Sequence, residues 1–359
     1  MHGLERRGDL VRVMVVFGGR SGEHEVSLAS ARAITEALGK SGRHEVVPVG
    51  ITREGRWISS GEPMRELESR AGYLPDGSLE VSGPPASAAE KLPAGLGSVD
   101  VVFPVLHGPY GEDGTIQGML ELSGVPYVGS GVLGSAAGMD KPTMKKIFAH
   151  HDLPQVEWVA FTRNQWEKNR ESLTEEIEKS PGYPCFVKPA NLGSSVGIRK
   201  AENAEELGEA IDEAARHDRR IIVEEGIDAR EVEVSVLGNE DPEVSVPGEI
   251  IIKKNDFYDY EAKYVEGGMK LVAPAPIPDE SAQEIRRIAR AAFEAIDAAG
   301  MARVDFFLER GTDRLLLNEI NTIPGFTPTS VYAELWATSG LPYEELLDRL
   351  VELALDRHG

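Results

Sequence analysis

The chain holds a single cysteine, Cys185, in 359 residues, which excludes an internal disulfide and a cysteine-built zinc cluster. Its place in the apolar run Tyr183-Pro184-Cys185-Phe186-Val187 predicts a buried small residue rather than a reactive thiol. No apolar stretch approaches the roughly 20 residues that a membrane helix requires. No apolar segment with a cleavage site follows Met1-His2-Gly3-Leu4-Glu5-Arg6-Arg7-Gly8-Asp9, so a cytoplasmic protein without membrane attachment is expected. Lys and Arg number 38 against 60 Asp and Glu, a net charge of −22. With no basic stripe visible, this balance argues against nucleic acid as a partner. It does not exclude small anions, because salt confines surface fields to about 8 Å. Two nucleotide signatures are also missing. No G-x-x-x-x-G-K-[ST] occurs, which disfavours a P-loop enzyme. No register of G-x-G-x-x-G fits around Gly18-Gly19, where Phe17 and Arg20 occupy glycine positions, and no acidic residue ends the next strand; a dinucleotide fold is disfavoured.

What is present begins with a strand at Val11–Phe17, a Gly18-Gly19 loop, a helix through Leu38 that stops at Gly39, and a strand near Glu45–Gly50. This order opens a parallel α/β sheet. Residues 61–98 are rich in Gly, Pro and Ser and read as a surface excursion. A strand follows at Val99–Leu106, then a short helix ending near Gly124. Small residues at Gly134–Gly138 suggest a boundary. The expected domains are 1–138, 139–225 and 226–359. In the second, Asp140 caps a helix with Pro142 in its first turn. Strands are expected near 156–161, 184–188 and 220–224, with a helix from Ala204 burying Leu207, Ile211, Ala214 and Ala215. The third holds a strand at Glu231–Leu237 and a long loop at 253–278. A helix there is expected to start on a capping box, Ser281-x-x-Glu284, and to end at Gly300, with Ile285, Ile288, Ala292, Phe293 and Ile296 on one face.

The sharpest chemical signal lies near the C-terminus. Arg303-Val304-Asp305 and Asn318-Glu319-Ile320-Asn321 flank Phe306-Phe307-Leu308, a turn-prone segment, and Leu315-Leu316-Leu317, the pattern of a β-hairpin. With Gly311-Thr312-Asp313 as the loop, Asp305 falls opposite Glu319 and Arg303 opposite Asn321. Two carboxylates facing each other destabilise a sheet unless something sits between them. Together with the Asn321 amide oxygen they make a hard-oxygen set suited to Mg²⁺ or Mn²⁺.

Other segments suit phosphate. Lys188-Pro189 ends a strand, and Ala190-Asn191-Leu192-Gly193-Ser194-Ser195-Val196-Gly197 offers backbone N–H groups and hydroxyls to an anion. Lys141 opens a helix, where a cation opposes the dipole. Glu25, beside His24, sits at a helix entrance. His107 ends a strand before a Gly-rich loop. Asn255-Asp256-Phe257-Tyr258-Asp259-Tyr260-Glu261-Ala262-Lys263-Tyr264 is aromatic and charged, and reads as a lid that excludes water and presents Lys263.

Taken in order, Gly18–Ser27, His107–Gly114, Lys188-Pro189 with Gly193–Gly197, Tyr258–Tyr264, Arg303-Val304-Asp305 and Asn318–Thr327 resemble the D-alanine–D-alanine ligases of the ATP-grasp superfamily, over about Val11 to Leu350. The resemblance implies three lobes, an N-terminal open parallel α/β lobe and a two-lobed ATP-grasp unit of α+β character. It implies a cytoplasmic homodimer that uses ATP and two Mg²⁺ (or Mn²⁺) to make D-alanyl-D-alanine for peptidoglycan through an acyl phosphate. By match to the family, Asp305, Glu319 and Asn321 hold the metals, and Lys141, Lys188 and Lys263 contact phosphate. Ser194, Ser195, Glu224, Ile227, Glu231 and Phe257 belong to the nucleotide site. Arg303 and the Gly325 N–H stabilise the oxyanion. Glu25 takes the first D-alanine's ammonium, His107 lines that site, and Ser330 takes the second carboxylate. Ser194 and Tyr264 link Glu25 to the lid. Relatives that make the D-alanine–D-lactate ester have histidine in the role of Tyr264, so Tyr264 favours an amine nucleophile. A nucleotide-binding protein without activity is the rival of another class; the full set of Arg303, Asp305, Glu319 and Asn321 argues against it.

Overall fold

The computed structural model describes residues 10–70, 96–193, 197–252 and 269–359. In chain order the first elements are β1 (Val11–Gly18), α1 (His24–Ser41), β2 (His44–Ile51), β3 (Trp57–Ile58), α2 (Pro63–Arg70), β4 (Val101–Val105), α3 (Thr115–Ser123) and α4 (Val132–Met139). β1 pairs in parallel with β2 and β4, and β3 adds an antiparallel edge, in the order β3-β2-β1-β4. The apolar run of β1 explains its central place, since a parallel strand is covered on both faces. Two details differ from the sequence reading. α1 passes through Gly39 and ends on Gly42, whose φ of 67° needs no Cβ. Within the supposed excursion, α2 buries Leu67.

The small residues at 134–138 lie within α4, and they let it approach the rest of the protein closely. A Cβ on Gly134 would stand 2.6 Å from the Asp297 carbonyl oxygen, and one on Gly138 would stand 3.2 Å from Ile296 and Thr322 side chains. Glycine is needed here for packing, not for bending.

Next come α5 (Lys141–His150), β5 (Trp158–Thr162), α6 (Arg163–Lys179), β6 (Cys185–Pro189), β7 (Arg199–Ala201), α7 (Ala204–His217) and β8 (Arg220–Glu225). Asp140 accepts from Thr143 N at 2.9 Å, capping α5 as its sequence suggests. The strands form an antiparallel sheet, β5-β8-β6-β7, whose core holds Leu207, Ile211, Ala214 and Cys185. Burial raises the Cys185 thiol to about 11, which keeps it inert.

The third sheet comprises β9 (Ala229–Gly238), β10 (Glu243–Val244), β11 (Gly248–Ile252), β12 (Met269–Val272), β13 (Gly300–Glu309) and β14 (Leu315–Asn321), in the order β12-β11-β9-β13-β14 with β10 beside β9. β12 lies inside the expected loop at 253–278. The helix α8 (Asp279–Ala295) covers this sheet with Ile285, Ile288, Ala292 and Phe293. It starts on Pro278 with no side-chain cap, so the Ser281 box does not form, and Gly300 belongs to β13 instead. Finally α9 (Val331–Thr338) and α10 (Tyr343–His358) return to the first sheet. Leu346, Leu347, Leu350 and Val351 of α10 share one core with Val13, Val15 and Phe103. Asp348 also accepts from Arg43 and His44, each at 2.7 Å.

Candidate active site

The hairpin β13–β14 places Asp305 opposite Glu319 and Arg303 opposite Asn321. It does so by a different route from the one the sequence suggests. Glu309 N donates to Arg314 O at 3.0 Å, closing a turn around 310–313 rather than 311–313. Phe306 then pairs with Leu317, and the register shifts before Asp305 meets Glu319, leaving Asn318 as the bulged residue. The Asn318 carbonyl receives Lys145 Nζ at 3.4 Å. On the other side, β9 sets Glu233 opposite Asp305. Three carboxylates therefore line one row across three strands.

Arg303 answers this row of charge. Its Nε and Nη2 donate to Asp305 Oδ1 and Oδ2, both at 2.7 Å, and Nε also stands 2.9 Å from Glu233 Oε2. Asn321 Oδ1 accepts from Ile323 N at 3.0 Å. Among the described residues no three His, Cys, Asp or Glu side chains cage an ion by themselves. The fit to Mg²⁺ rests on donor chemistry. Asp305, Glu319 and Asn321 offer hard oxygens, Asp305 already attracts a cation, and Mg²⁺ takes few protein ligands when phosphate supplies the rest.

Facing this hairpin, β6 and β8 hold Lys188 and Glu224. Lys188 Nζ lies 2.5 Å from Glu224 Oε2, and Lys145 Nζ lies 3.2 Å from Glu224 Oε1. Burial opposes the Glu224 charge, yet the two lysines hold its pKa down to about 2. Burial also opposes the Lys188 charge, and Glu224, Glu319 and Glu231 together outweigh it, leaving its pKa raised. Thus Lys188, Glu224, Glu231 and Glu319 share one electrostatic field. Ile227 is half-buried between β8 and β9. Lys141 Nζ donates to Leu192 O at 2.8 Å, joining α5 to the loop after β6.

The third wall comes from the first sheet. His107 is buried and its Nδ1 lies 2.9 Å from the Ile323 carbonyl, so Nδ1 carries the proton. Burial lowers its pKa, and its Nε2 lone pair has no partner among the described residues. Glu112 Oε2 accepts from Gly108 N at 2.6 Å. Burial and then Glu23 raise the Glu112 pKa well above the carboxylate range, while Arg303 and Lys141 pull it down.

Glu25 is not part of this wall. It is exposed on α1 and accepts from Arg53 at 2.8 Å. Glu23 stands there instead. It makes no side-chain cap to α1, and its Oε2 would lie 2.9 Å from a Cβ on Gly108 and 2.8 Å from one on Gly193. Ser330 begins α9, where its Oγ accepts from Thr327 N at 3.0 Å, and Gly325 lies beside that Oγ. Ser194, Ser195, Phe257, Lys263 and Tyr264 lie outside the described residues. The sequence reading missed Glu23, Glu112, Lys145 and Glu233. Lys145, four residues beyond Lys141, shares its helix face, and Glu231-x-Glu233-x-Ser235 alternates on one strand face.

Three sheets enclosing a cleft lined by lysines on one side and carboxylates on the other define an ATP-grasp ligase. Family profiles described as "D-ala D-ala ligase N-terminus" and "D-ala D-ala ligase C-terminus" match residues 12–130 and 147–352. A D-alanine–D-alanine ligase of Bacillus cytotoxicus is 49% identical over 352 residues, covering 97% of this chain and 96% of that relative. One from Heliobacterium modesticaldum is 50% identical over 357 residues, covering 96% and 95%. The solved D-alanine–D-alanine ligase of Coxiella burnetii superposes with a TM-score of 0.79 at 33% identity, over 97% of this chain and 95% of its own. The VanG D-Ala:D-Ser ligase of Enterococcus faecalis gives 0.80 at 35%, over 96% and 100%. The chain belongs to the D-alanine–D-alanine ligase family. Among the described residues no helix is long and apolar enough to cross a membrane.

Proposed function

We propose that the protein joins two D-alanines into D-alanyl-D-alanine at the expense of ATP, supplying a precursor of peptidoglycan. The observation that carries this reading is that Lys188 feels the charge of Glu319, the residue that stands opposite Asp305 on the hairpin. A carboxylate is a poor acyl donor because its oxide leaves badly. Transfer of the ATP γ-phosphoryl to a carboxylate oxygen of the first D-alanine gives ADP and an acyl phosphate. The second amine then attacks the carbonyl carbon, the C–O bond to phosphate breaks, and the amine loses a proton.

In this reading Asp305, Glu319 and Asn321 hold two Mg²⁺ or Mn²⁺ ions, which supply charge neutralisation on the transferring phosphoryl. Lys141 and Lys188 contact phosphate, as do Lys263 and the Ser194-Ser195 loop. Glu224, Ile227, Glu231 and Phe257 receive the nucleoside. Arg303 and the Gly325 N–H stabilise the tetrahedral oxyanion, Tyr264 closes the site, and Ser330 takes the second carboxylate. Glu23 replaces Glu25 as the acceptor for the first ammonium. The neutral His107 supports this, since its free Nε2 accepts an N–H and does not donate to a carboxylate. Lobes divided near 138 and 225 would close on these groups and exclude water from the acyl phosphate.

The likeness to a D-Ala:D-Ser ligase favours D-serine as the second reading for the amine. The acyl-phosphate step is tested with D-alanine labelled with ¹⁸O in its carboxyl group. Label arriving in the released phosphate supports the reading; unlabelled phosphate contradicts it.

A further inference from the structure

Both limbs of the loop that follows β6 rest on one corner, where α7 gives way to β8. On the outward limb, Asp218 Oδ2 accepts from Asn191 N at 2.9 Å and from Asn191 Nδ2 at 3.0 Å. The other oxygen, Oδ1, accepts from Arg220 N at 3.0 Å. On the return limb, Gly197 has a φ of 72°, and a Cβ there would stand 3.0 Å from both His217 Cδ2 and Pro189 Cγ. Asp218 is the C-cap of α7, where a carboxylate opposes the helix dipole. Three N–H donors offset that cost, and two of them belong to the loop.

The loop in turn holds Lys141. Lys141 N donates to Ala190 O at 3.1 Å, and Lys141 Nζ donates to Leu192 O at 2.8 Å. A lysine ammonium carries three hydrogens on a flexible stem. One hydrogen fixed by the Leu192 carbonyl sets the direction of the other two. The Lys141 charge is felt by Glu112, on the wall built by the first sheet.

We propose that Asp218 is a positioning residue for phosphate binding. By holding Asn191 it sets the Leu192 carbonyl, and through that carbonyl it aims the Lys141 ammonium. This role rests on the reading of Lys141 as a phosphate contact.

The test measures binding of AMP-PNP with Mg²⁺ to the full-length protein by calorimetry, and of adenosine as its competitor. The variants are K141A, D218A, N191D, D218A/K141A and N191D/K141A. K141A must weaken AMP-PNP; if it does not, the phosphate reading of Lys141 fails, and the proposal with it. Given that loss, D218A is expected to weaken AMP-PNP about tenfold with Lys141 present and no more than about threefold in K141A, because residues in one network couple. Adenosine, which has no phosphate, should change less than about twofold. N191D keeps the size of the side chain and sets a second carboxylate against Asp218, so it should give the same pattern even if D218A folds poorly. Equal losses for AMP-PNP and adenosine, or equal losses with and without Lys141, would make Asp218 a merely structural residue and overturn the proposal. Unchanged AMP-PNP binding in N191D would overturn it too.

Discussion

Glu23, in the turn before α1, and Gly193, in the loop after β6, lie so close that a methyl group on Gly193 would stand 2.8 Å from Glu23 Oε2. The loop after β6 therefore packs against the entrance of α1, with the half-buried Glu23 at the junction. Glu25, two residues on, faces solvent and Arg53. The two acidic side chains have separate tasks.

Glu23→Gln is expected to raise the KM for D-alanine by about tenfold or more, since a hydrogen bond to a charged group contributes about 1.5–3 kcal/mol. Glu25→Gln should change it less than about twofold, because exposed ion pairs contribute about 0–1 kcal/mol. Steady-state kinetics on the two variants separates them; equal effects would return Glu25 to the site.

Glu319→Gln keeps shape and hydrogen bonding while removing one charge from the Asp305–Glu319 pair. Turnover should fall by about a thousandfold or more, as charge stabilisation of the phosphoryl is lost. Circular dichroism should show the fold unchanged. Near-normal turnover would remove Glu319 from the metal set.

Glu224 is the only anion that either Lys145 or Lys188 meets in a short ion pair among the described residues. Breaking a buried pair from one side costs about 3–5 kcal/mol, so Glu224→Ala should destabilise the protein by that order in urea unfolding. A change below about 1 kcal/mol would mean that water already reaches these lysines.

Glu112 gives a pH signature of defined sign. Its pKa is raised in the folded protein, first by burial and then by Glu23. Its contribution to stability is thus complete below the ordinary carboxyl range and is lost as pH rises through the raised value. Glu112→Gln can still accept from Gly108 N, and it cannot ionise. The variant should melt with the wild type near pH 4 and above it at about pH 8. A difference that does not change with pH would show that Glu112 titrates normally.

Two glycines in helices should respond oppositely to alanine. A Cβ on Gly39 meets nothing within 4 Å, so Gly39→Ala should stabilise by about 0.5–1 kcal/mol. A Cβ on Gly134 meets the Asp297 backbone at 2.6 Å, and Gly134→Ala should cost about 1–3 kcal/mol. Denaturant titration measures both.

These glycines also show how far the sequence could be read. Strand and helix periods fix β1, α7 and the buried face of α8, because burial there follows local spacing. Gly39 misleads, because a glycine's purpose depends on what packs against it. The pairing of Asp305 with Glu319 is legible, but for an incomplete reason. The turn is longer by Arg310, and the bulge at Asn318 restores the register. Period-2 alternation cannot reveal a bulge. The choice between Glu23 and Glu25 likewise depends on the backbone at the α1 entrance, where neither charge nor spacing tells them apart. Glu112 and Lys145 gain their meaning only from neighbours distant in sequence.

The most direct test of the ligase assignment supplies ATP, Mg²⁺ and D-alanine, alone and in competition with D-serine and D-lactate, and identifies the product by mass spectrometry. D-alanyl-D-alanine, formed in step with phosphate release and in preference to the D-serine peptide and the D-lactate ester, is the predicted result. Phosphate release with D-lactate but not with D-alanine, or nucleotide binding without any D-alanine-dependent turnover, would contradict the account.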